Sequence, residues 1–250
     1  MNTAALIVAR LSSSRLKQKN ILEVNGKPMI ISLIDRVKKS SLVDEVIIAT
    51  SEESSDDPLE ELAENNKLKI YRGSLNNVME RIVGAANQFN IENIVEILGD
   101  NPFVHSDLID DVIDLFINKK ADYSANITKE YPEELRSKQM FSIGIRVQVY
   151  KKSVAEEYIK YPEYVESDSH PCAYIFENPN FYKLEFLGAE KKWQFANLPD
   201  LNLAVNYPKN FDFVTEIYKL KEKNKDLDLK MLFKLINQNP KFIELLGPEI

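Results

Sequence analysis

The sequence predicts an α/β fold, a doubly wound, mostly parallel sheet with a smaller inserted α+β subdomain, and three observations predict it. Short apolar runs rich in branched residues occur at residues 5–9, 46–49 and 94–98. Segments with apolar residues at helical spacing lie between such runs. Polar clusters follow the runs directly, at residues 10–19, 72–74 and 99–100. Strands alternating with helices argue for parallel pairing through right-handed crossovers, which brings the strands' carboxyl ends to one edge. The three polar clusters can then converge on one crevice.

The first run ends at Arg10, and Ser12, Ser13, Ser14, Arg15 and Lys19 follow it. Hydroxyls and backbone N–H groups in such a loop can cradle phosphate oxygens, while the three cations supply positive charge. Taken alone, a solvated basic loop would read the same way. Gly26, Lys27 and Pro28 predict a turn and then a helix, with Pro28 in its first turn and Met29, Ile30, Leu33, Ile34 and Val37 inside. Residues 43–49 predict the second strand. Asp57 is the expected cap of the next helix, ahead of Pro58, Leu59, Leu62 and Ala63. Residues 69–71 form a short strand that stops at Arg72, Gly73 and Ser74. A helix over residues 77–89 buries Val78, Ile82, Ala85, Ala86 and Phe89. The strand at 94–98 stops at Gly99, Asp100, Asn101 and Pro102. Ser106 is placed to cap a helix with Leu108, Ile109, Val112, Ile113 and Phe116 inside, and residues 121–125 give a fifth strand.

The rhythm then changes. Phe141, Ile143, Ile145, Val147 and Val149 alternate with other residues, the period of a long strand. A helix over 153–161 and an irregular stretch over 161–179 follow. Residues 182–187 and 201–205 predict further strands, and 211–222 and 229–236 predict helices. Without repeats or a low-complexity linker, residues 1–250 read as one domain, with an insertion over approximately 130–200.

Bulk properties exclude several classes. The net charge is −7, with 32 Lys+Arg against 39 Asp+Glu, which speaks against a nucleic-acid or anionic-membrane partner. Cations concentrated in one loop of an acidic chain therefore call for a local explanation. The single cysteine, Cys172, excludes an intramolecular disulfide and reads as a structural thiol. No apolar stretch approaches the roughly 20 residues of a membrane span, and Arg10 interrupts the first run too early for a signal peptide. The expected location is cytoplasmic, with no membrane insertion.

A lone carboxylate among cations is the set that phosphoryl-type transfer uses: the carboxylate holds Mg²⁺, and Arg and Lys offset charge on the leaving pyrophosphate. Asp100 could also be a plain turn residue. The run Ala9, Arg10, Ser12, Ser13, Ser14, Arg15, Leu16 and Lys19, with Gly26, Lys27 and Pro28 behind it, resembles the CMP-sugar synthetases. The similarity is to 3-deoxy-manno-octulosonate cytidylyltransferases and their spore-coat polysaccharide relatives. The signature is roughly A-R-x-x-S-x-R-L-P-x-K followed by G-K-P, and Lys17 stands where it has proline. The stretches 71–74, 78–81 and 98–102, and more weakly 203–208, extend the resemblance.

The resemblance implies a nucleotide-diphospho-sugar transferase-like Rossmann variant and a metal-dependent attack of a sugar hydroxyl on the α-phosphate of CTP. It assigns Arg10 and Lys19 to the triphosphate, with Ser13 and Arg15 shaping the loop, and Arg72 and Ser74 to the base and ribose. Ala9, Ser12 and Arg81 join the nucleotide site, and Asp100 takes Mg²⁺. The closing V-D-x-P-x-D motif reads here with amides, Asn206 and Asn210, and Asn206 stands at the second metal ligand. An amide oxygen can still ligate a hard cation, with one negative charge fewer. Asn202 replaces the basic residue often found ahead of that motif. His170 is a candidate for acceptor contact or for a structural hydrogen bond, and His105 for a surface or capping role. Trp193 and the tyrosines at 158, 161 and 164 read mainly as core or interface residues, with an acceptor pocket as the alternative. The insertion is implied to bind the acceptor and form a homodimer. The expected activity is a cytidylyltransferase acting on CTP and an acidic or 2-keto-3-deoxy-type sugar. A binding homologue without turnover, and a transferase using another NTP or acceptor, stay open.

Overall fold

The computed structural model describes residues 2–160, 172–223 and 228–246; His170, Tyr161 and Tyr164 lie outside these. Among the described residues a seven-stranded sheet forms the spine. β1 (Thr3–Val8) pairs in parallel with β4 (Glu45–Ser51) on one side and β6 (Asn93–Leu98) on the other, and β5 (Lys69–Gly73) extends past β4. With β7 (Tyr123–Asn126), β8 (Gln148–Lys151) and β9 (Leu184–Leu187), the order is β5-β4-β1-β6-β8-β7-β9. β8 is antiparallel to both neighbours, and β9 is parallel to β7. β2 (Glu23–Val24) and β3 (Lys27–Pro28) make a separate hairpin, so Pro28 closes a strand and precedes the helix instead of sitting in its first turn.

The central strands are mostly apolar because both faces are covered. Ala5, Ile7, Ile48, Val95 and Ile97 face one core cluster, which packs α1 (Met29–Val37), α2 (Asp57–Asn65), α4 (Ser106–Lys119), α7 (Pro208–Lys223), α8 (Leu229–Gln238) and α9 (Pro240–Leu246). The alternate residues Ala4, Leu6, Ile47 and Ile94 face a second cluster with α3 (Val78–Gln88), α5 (Lys152–Tyr158) and α6 (Ala173–Glu177). The period-two alternation thus sorts each strand between two buried layers. Trp193 belongs to the first layer, where its Nε1 donates to Asp111 at 2.7 Å, and Tyr158 to the second, edge-on to Tyr174. Cys172 is fully buried beside Glu96, and burial first, then that carboxylate, pushes its pKa well up, which fits a structural thiol.

Several expectations need correction. The long strand predicted over 141–149 is a strand only from Gln148. Gly144 interrupts it at φ +86°, where a Cβ would stand 2.1 Å from the Ala204 nitrogen. The chain there is built around close passage of residues 203–204, and residues 201–205 contribute a single parallel bridge, Ile143 to Asn202. Asp57 does not cap α2; Asp56 precedes the helix and turns its carboxylate inward. His105, not Ser106, caps α4, its Nδ1 accepting from the Asp107 N–H at 3.3 Å, and burial lowers its pKa. Beyond the helix predicted at 229–236, the chain breaks at Asn239 and forms a further helix, α9, that starts at Pro240.

Candidate active site

The loop after β1 is stapled along its length. Its start is held by Asp56, fully buried, whose Oδ1 accepts the Leu11 N–H at 2.7 Å. The other oxygen accepts from the Ser51 N–H at 3.2 Å and from the hydroxyls of Thr50 and Ser51. Its end returns through Gln18 in the left-handed region, whose N–H donates to the Leu11 carbonyl at 3.2 Å. Asn20, 2% exposed, donates from Nδ2 to the Arg10 carbonyl at 3.0 Å. Gly99 lets the end of β6 lie against this loop: its N–H reaches the Val8 carbonyl at 2.8 Å, and a Cβ would stand 2.9 Å from that of Ala9.

The staples turn Lys19 inward, with 8% of the residue exposed. Its Nζ donates to Asp100 Oδ2 at 2.5 Å and to Asn206 Oδ1 at 3.1 Å. Residues from the beginning, middle and end of the chain therefore meet at one ammonium. Asn206 is carried there because the Val205 N–H donates to the Asp100 carbonyl at 2.8 Å. Asn210 stands behind, its Oδ1 accepting from the N–H groups of Asn206 and Tyr207 at 3.3 and 2.9 Å. It holds the backbone, a task for which an amide oxygen suffices. Asn202 likewise accepts from the Ala204 N–H at 2.9 Å.

The cleft beside this cluster measures about 430 Å³ and lies at the carboxyl edge between β1 and β6, where the chain's winding reverses. Of the sequence-predicted residues, Ala9, Arg10, Ser12, Ser13, Arg15, Lys19, Arg81 and Asp100 line it. Sequence reasoning missed Asn20 and Asn76, which also line it. The Arg15 guanidinium lies over the Tyr207 ring, 5.5 Å from its centre, joining the loop to the segment that bears Asn206. Four cations face one carboxylate in this lining. Arg81 is 2% exposed, donates to the Ser74 carbonyl at 2.9 Å, and leaves its buried Nε without a partner. Burial first, then the facing charge of Arg10, lowers its pKa to about 10, so it stays cationic at neutral pH. An anion in the cleft would relieve that repulsion.

Arg72 is placed elsewhere. Its guanidinium is held by Glu60 at 2.5 Å, Asp57 at 2.7 Å and the carbonyls of Ser51 and Glu53, and the two carboxylate bonds raise its pKa. Neither Arg72 nor Ser74 lines the cleft; the Ser74 hydroxyl accepts from the Asn77 N–H at 3.1 Å at the start of α3.

The residues fit a hard cation to the extent that two side-chain oxygens already share a charge: Asp100 Oδ1 is buried without a partner, and the Lys19 ammonium joins Asp100 to Asn206. No group of three or more His, Cys, Asp or Glu capable of holding a metal occurs among the described residues. Among them, no helix is long and apolar enough to cross a membrane.

A doubly wound sheet of this order, with a cationic cleft at its switch point, defines a Rossmann-type fold of the nucleotidyltransferase kind. The chain belongs to the cytidylyltransferase family, whose model matches residues 4–235. It is 26% identical to an uncharacterized protein of Methanocaldococcus jannaschii over 96% of this chain and 92% of that one. It is 25% identical to the spore coat polysaccharide biosynthesis protein SpsF of Bacillus subtilis over 94% of each. The fold is similar to that of a cytidylyltransferase from Leptospira borgpetersenii, with TM-score 0.83, 24% identity and coverage of 100% and 99% of the two chains.

Proposed function

We propose that this chain is a cytidylyltransferase that joins CTP to an acidic or 2-keto-3-deoxy-type sugar, forming a CMP-sugar and pyrophosphate for surface polysaccharide assembly. The observation that carries the reading is the stapled loop that presents Lys19 to Asp100 inside a cleft of four cations. A triphosphate is the polyanion that such a lining suits. A 3-deoxy-manno-octulosonate cytidylyltransferase of Chloroherpeton thalassium, 27% identical over 73% of each chain, supports the acceptor class.

In the reaction a sugar hydroxyl attacks the α-phosphorus. The new P–O bond forms as the bond to the β-phosphate oxygen breaks, and the hydroxyl proton passes to solvent. Arg10, Lys19 and Arg81 offset the charge that collects on pyrophosphate, in a site preorganised by the Asp56 and Asn20 staples. Mg²⁺ would be held by Asp100 with Asn206, and it would supply charge neutralisation across phosphate oxygens. Ser12, Ser13 and Arg15 shape the loop, and Ala9 gives its backbone. We place acceptor binding, including His170, and homodimer contacts in residues 130–200, and the protein in the cytoplasm. A binding homologue without turnover draws support from the single carboxylate of the seat.

The test is pyrophosphate release with each NTP against a panel of sugar acids, with and without Mg²⁺. Release is expected with CTP, an acid sugar and Mg²⁺ together. No release under any pairing, with CTP binding intact, would favour the binding homologue.

A further inference from the structure

We infer that Lys19 is a removable counter-ion of the cation seat, so that the free protein rejects a divalent ion and accepts one only together with the nucleotide. The inference rests on the reading of Lys19 as a phosphate ligand and of Asp100 as a metal ligand. Three observations carry it. First, the ammonium stands where a shared cation would stand, 2.5 Å from Asp100 Oδ2 and 3.1 Å from Asn206 Oδ1. Second, the charges cancel: Asp100 contributes −1, Lys19 +1 and the Asn206 amide none. An ion added to this seat meets a neutral pair, with Arg10, Arg15 and Arg81 lining the same cleft. The Lys19 and Asp100 side chains are 10% and 20% exposed, so screening by water is limited. Third, the backbone that carries the seat is held without the ammonium. The Val205 N–H on the Asp100 carbonyl and the bonds from the N–H groups of residues 206 and 207 to Asn210 join the two segments that bear Asp100 and Asn206.

Lysine suits this exchange because its charge rides on a flexible four-carbon stem, which can swing towards a phosphate without moving the backbone. When a triphosphate enters, its negative charge draws Lys19 away and offsets the incoming ion. Asp100 Oδ2 and the orphaned Oδ1 are then both free to ligate. Nucleotide and divalent cation are therefore coupled: each binds more tightly when the other is present. With a carboxylate in place of Asn206 the seat would keep a net negative charge even with Lys19 in it. The amide makes the lysine's control complete.

The test is Mn²⁺ binding to nucleotide-free protein, followed by electron paramagnetic resonance of the free ion. Lys19→Met should bind Mn²⁺ about tenfold more tightly than the unmodified protein, as expected for removing a fixed positive charge next to the seat. Lys19→Gln, which keeps a polar head, should show a gain in the same direction if the methionine variant fails to fold, judged by thermal melting. Adding Asp100→Asn to either variant should remove the gain. Equal Mn²⁺ affinity with and without the lysine, or a gain that survives Asp100→Asn, would overturn the inference. No nucleotide is present in this titration. A protein that never turned over CTP could still pass it, and an active cytidylyltransferase could fail it.

Discussion

Asp56 tests whether the opening loop is held by a buried carboxylate. Four donors reach its two oxygens: the Leu11 N–H on one, and the Ser51 N–H with the hydroxyls of Thr50 and Ser51 on the other. In Asp56→Asn, an amide nitrogen must replace one oxygen. The less damaging choice faces it towards Leu11, which turns one bond into a donor–donor clash and removes the charge from the other three. One buried unsatisfied N–H costs about 1–3 kcal/mol, and three weakened bonds add a similar amount, for a total of about 3 kcal/mol. For a chain of this size, that lowers Tm by roughly 6–12 °C. CTP affinity should fall several-fold as well, because Leu11 lies between Arg10 and Ser12 in the cleft loop. Differential scanning calorimetry and titration with CTP measure the two effects. Asp57→Asn is the control: that carboxylate side chain is 60% exposed, and its pair with Arg72 is worth about 0–1 kcal/mol. If Asp56→Asn melted within a degree or so of Asp57→Asn, the staple argument would be refuted.

The other predictions concern the cleft and the close passage of the chain at Gly144. Arg81→Met should weaken CTP at least about tenfold, whereas Arg72→Ala should leave CTP affinity nearly unchanged and lower Tm, because Arg81 lines the cleft and Arg72 does not. Because Arg81 titrates near 10, it loses its positive charge as pH rises through that value, so CTP affinity should decline there. Removing the Arg10 charge with Arg10→Met should move that decline to higher pH, and calorimetric titration across the range checks both. Asn206→Asp should tighten Mn²⁺ binding about tenfold, while Asn210→Asp should leave it nearly unchanged, since that side chain serves backbone N–H groups. Gly144→Ala should cost about 3 kcal/mol or more, from positive φ and from a Cβ only 2.1 Å from the Ala204 nitrogen, with Tm as the readout.

Local pattern revealed the parallel half of the sheet well. Both faces of β1, β4 and β6 are buried, so their runs are largely apolar, broken in β6 only by Glu96, and carry few competing interpretations. The opening loop was legible for a related reason, since three cations and three serines follow a strand that could only be central. The alternation over 141–149 misled because the segment is buried almost throughout, polar Ser142, Arg146 and Gln148 included, so apolar residues recur there even where the ladder is broken. What breaks it, the passage of residues 203–204 under Gly144, is a contact between distant segments. Asp56 and Asp57 are adjacent acids in sequence, and the donors of Thr50, Ser51 and the distant Leu11 select the first. Arg72 looked like a site residue because it ends a strand, yet α2 supplies two carboxylates that hold it aside. Arg81 did carry a local signal: it lies in the stripe that includes Val78, Ile82 and Ala85, and an arginine on a buried helix face needs an anion or a carbonyl to face. The meeting of Lys19 with Asn206 spans 187 positions and follows from the Val205 bond to Asp100, which no periodicity reports.

The most direct test of the account is product formation from CTP and the acid-sugar panel, read by mass spectrometry for the CMP-sugar, in the unmodified protein and in Asp100→Asn. The account predicts a CMP-sugar from the unmodified protein. For Asp100→Asn, it predicts a loss of at least about a thousandfold in turnover, with the melting temperature and CTP binding largely kept. Undiminished turnover in Asp100→Asn would contradict the assignment of the reaction to this cleft.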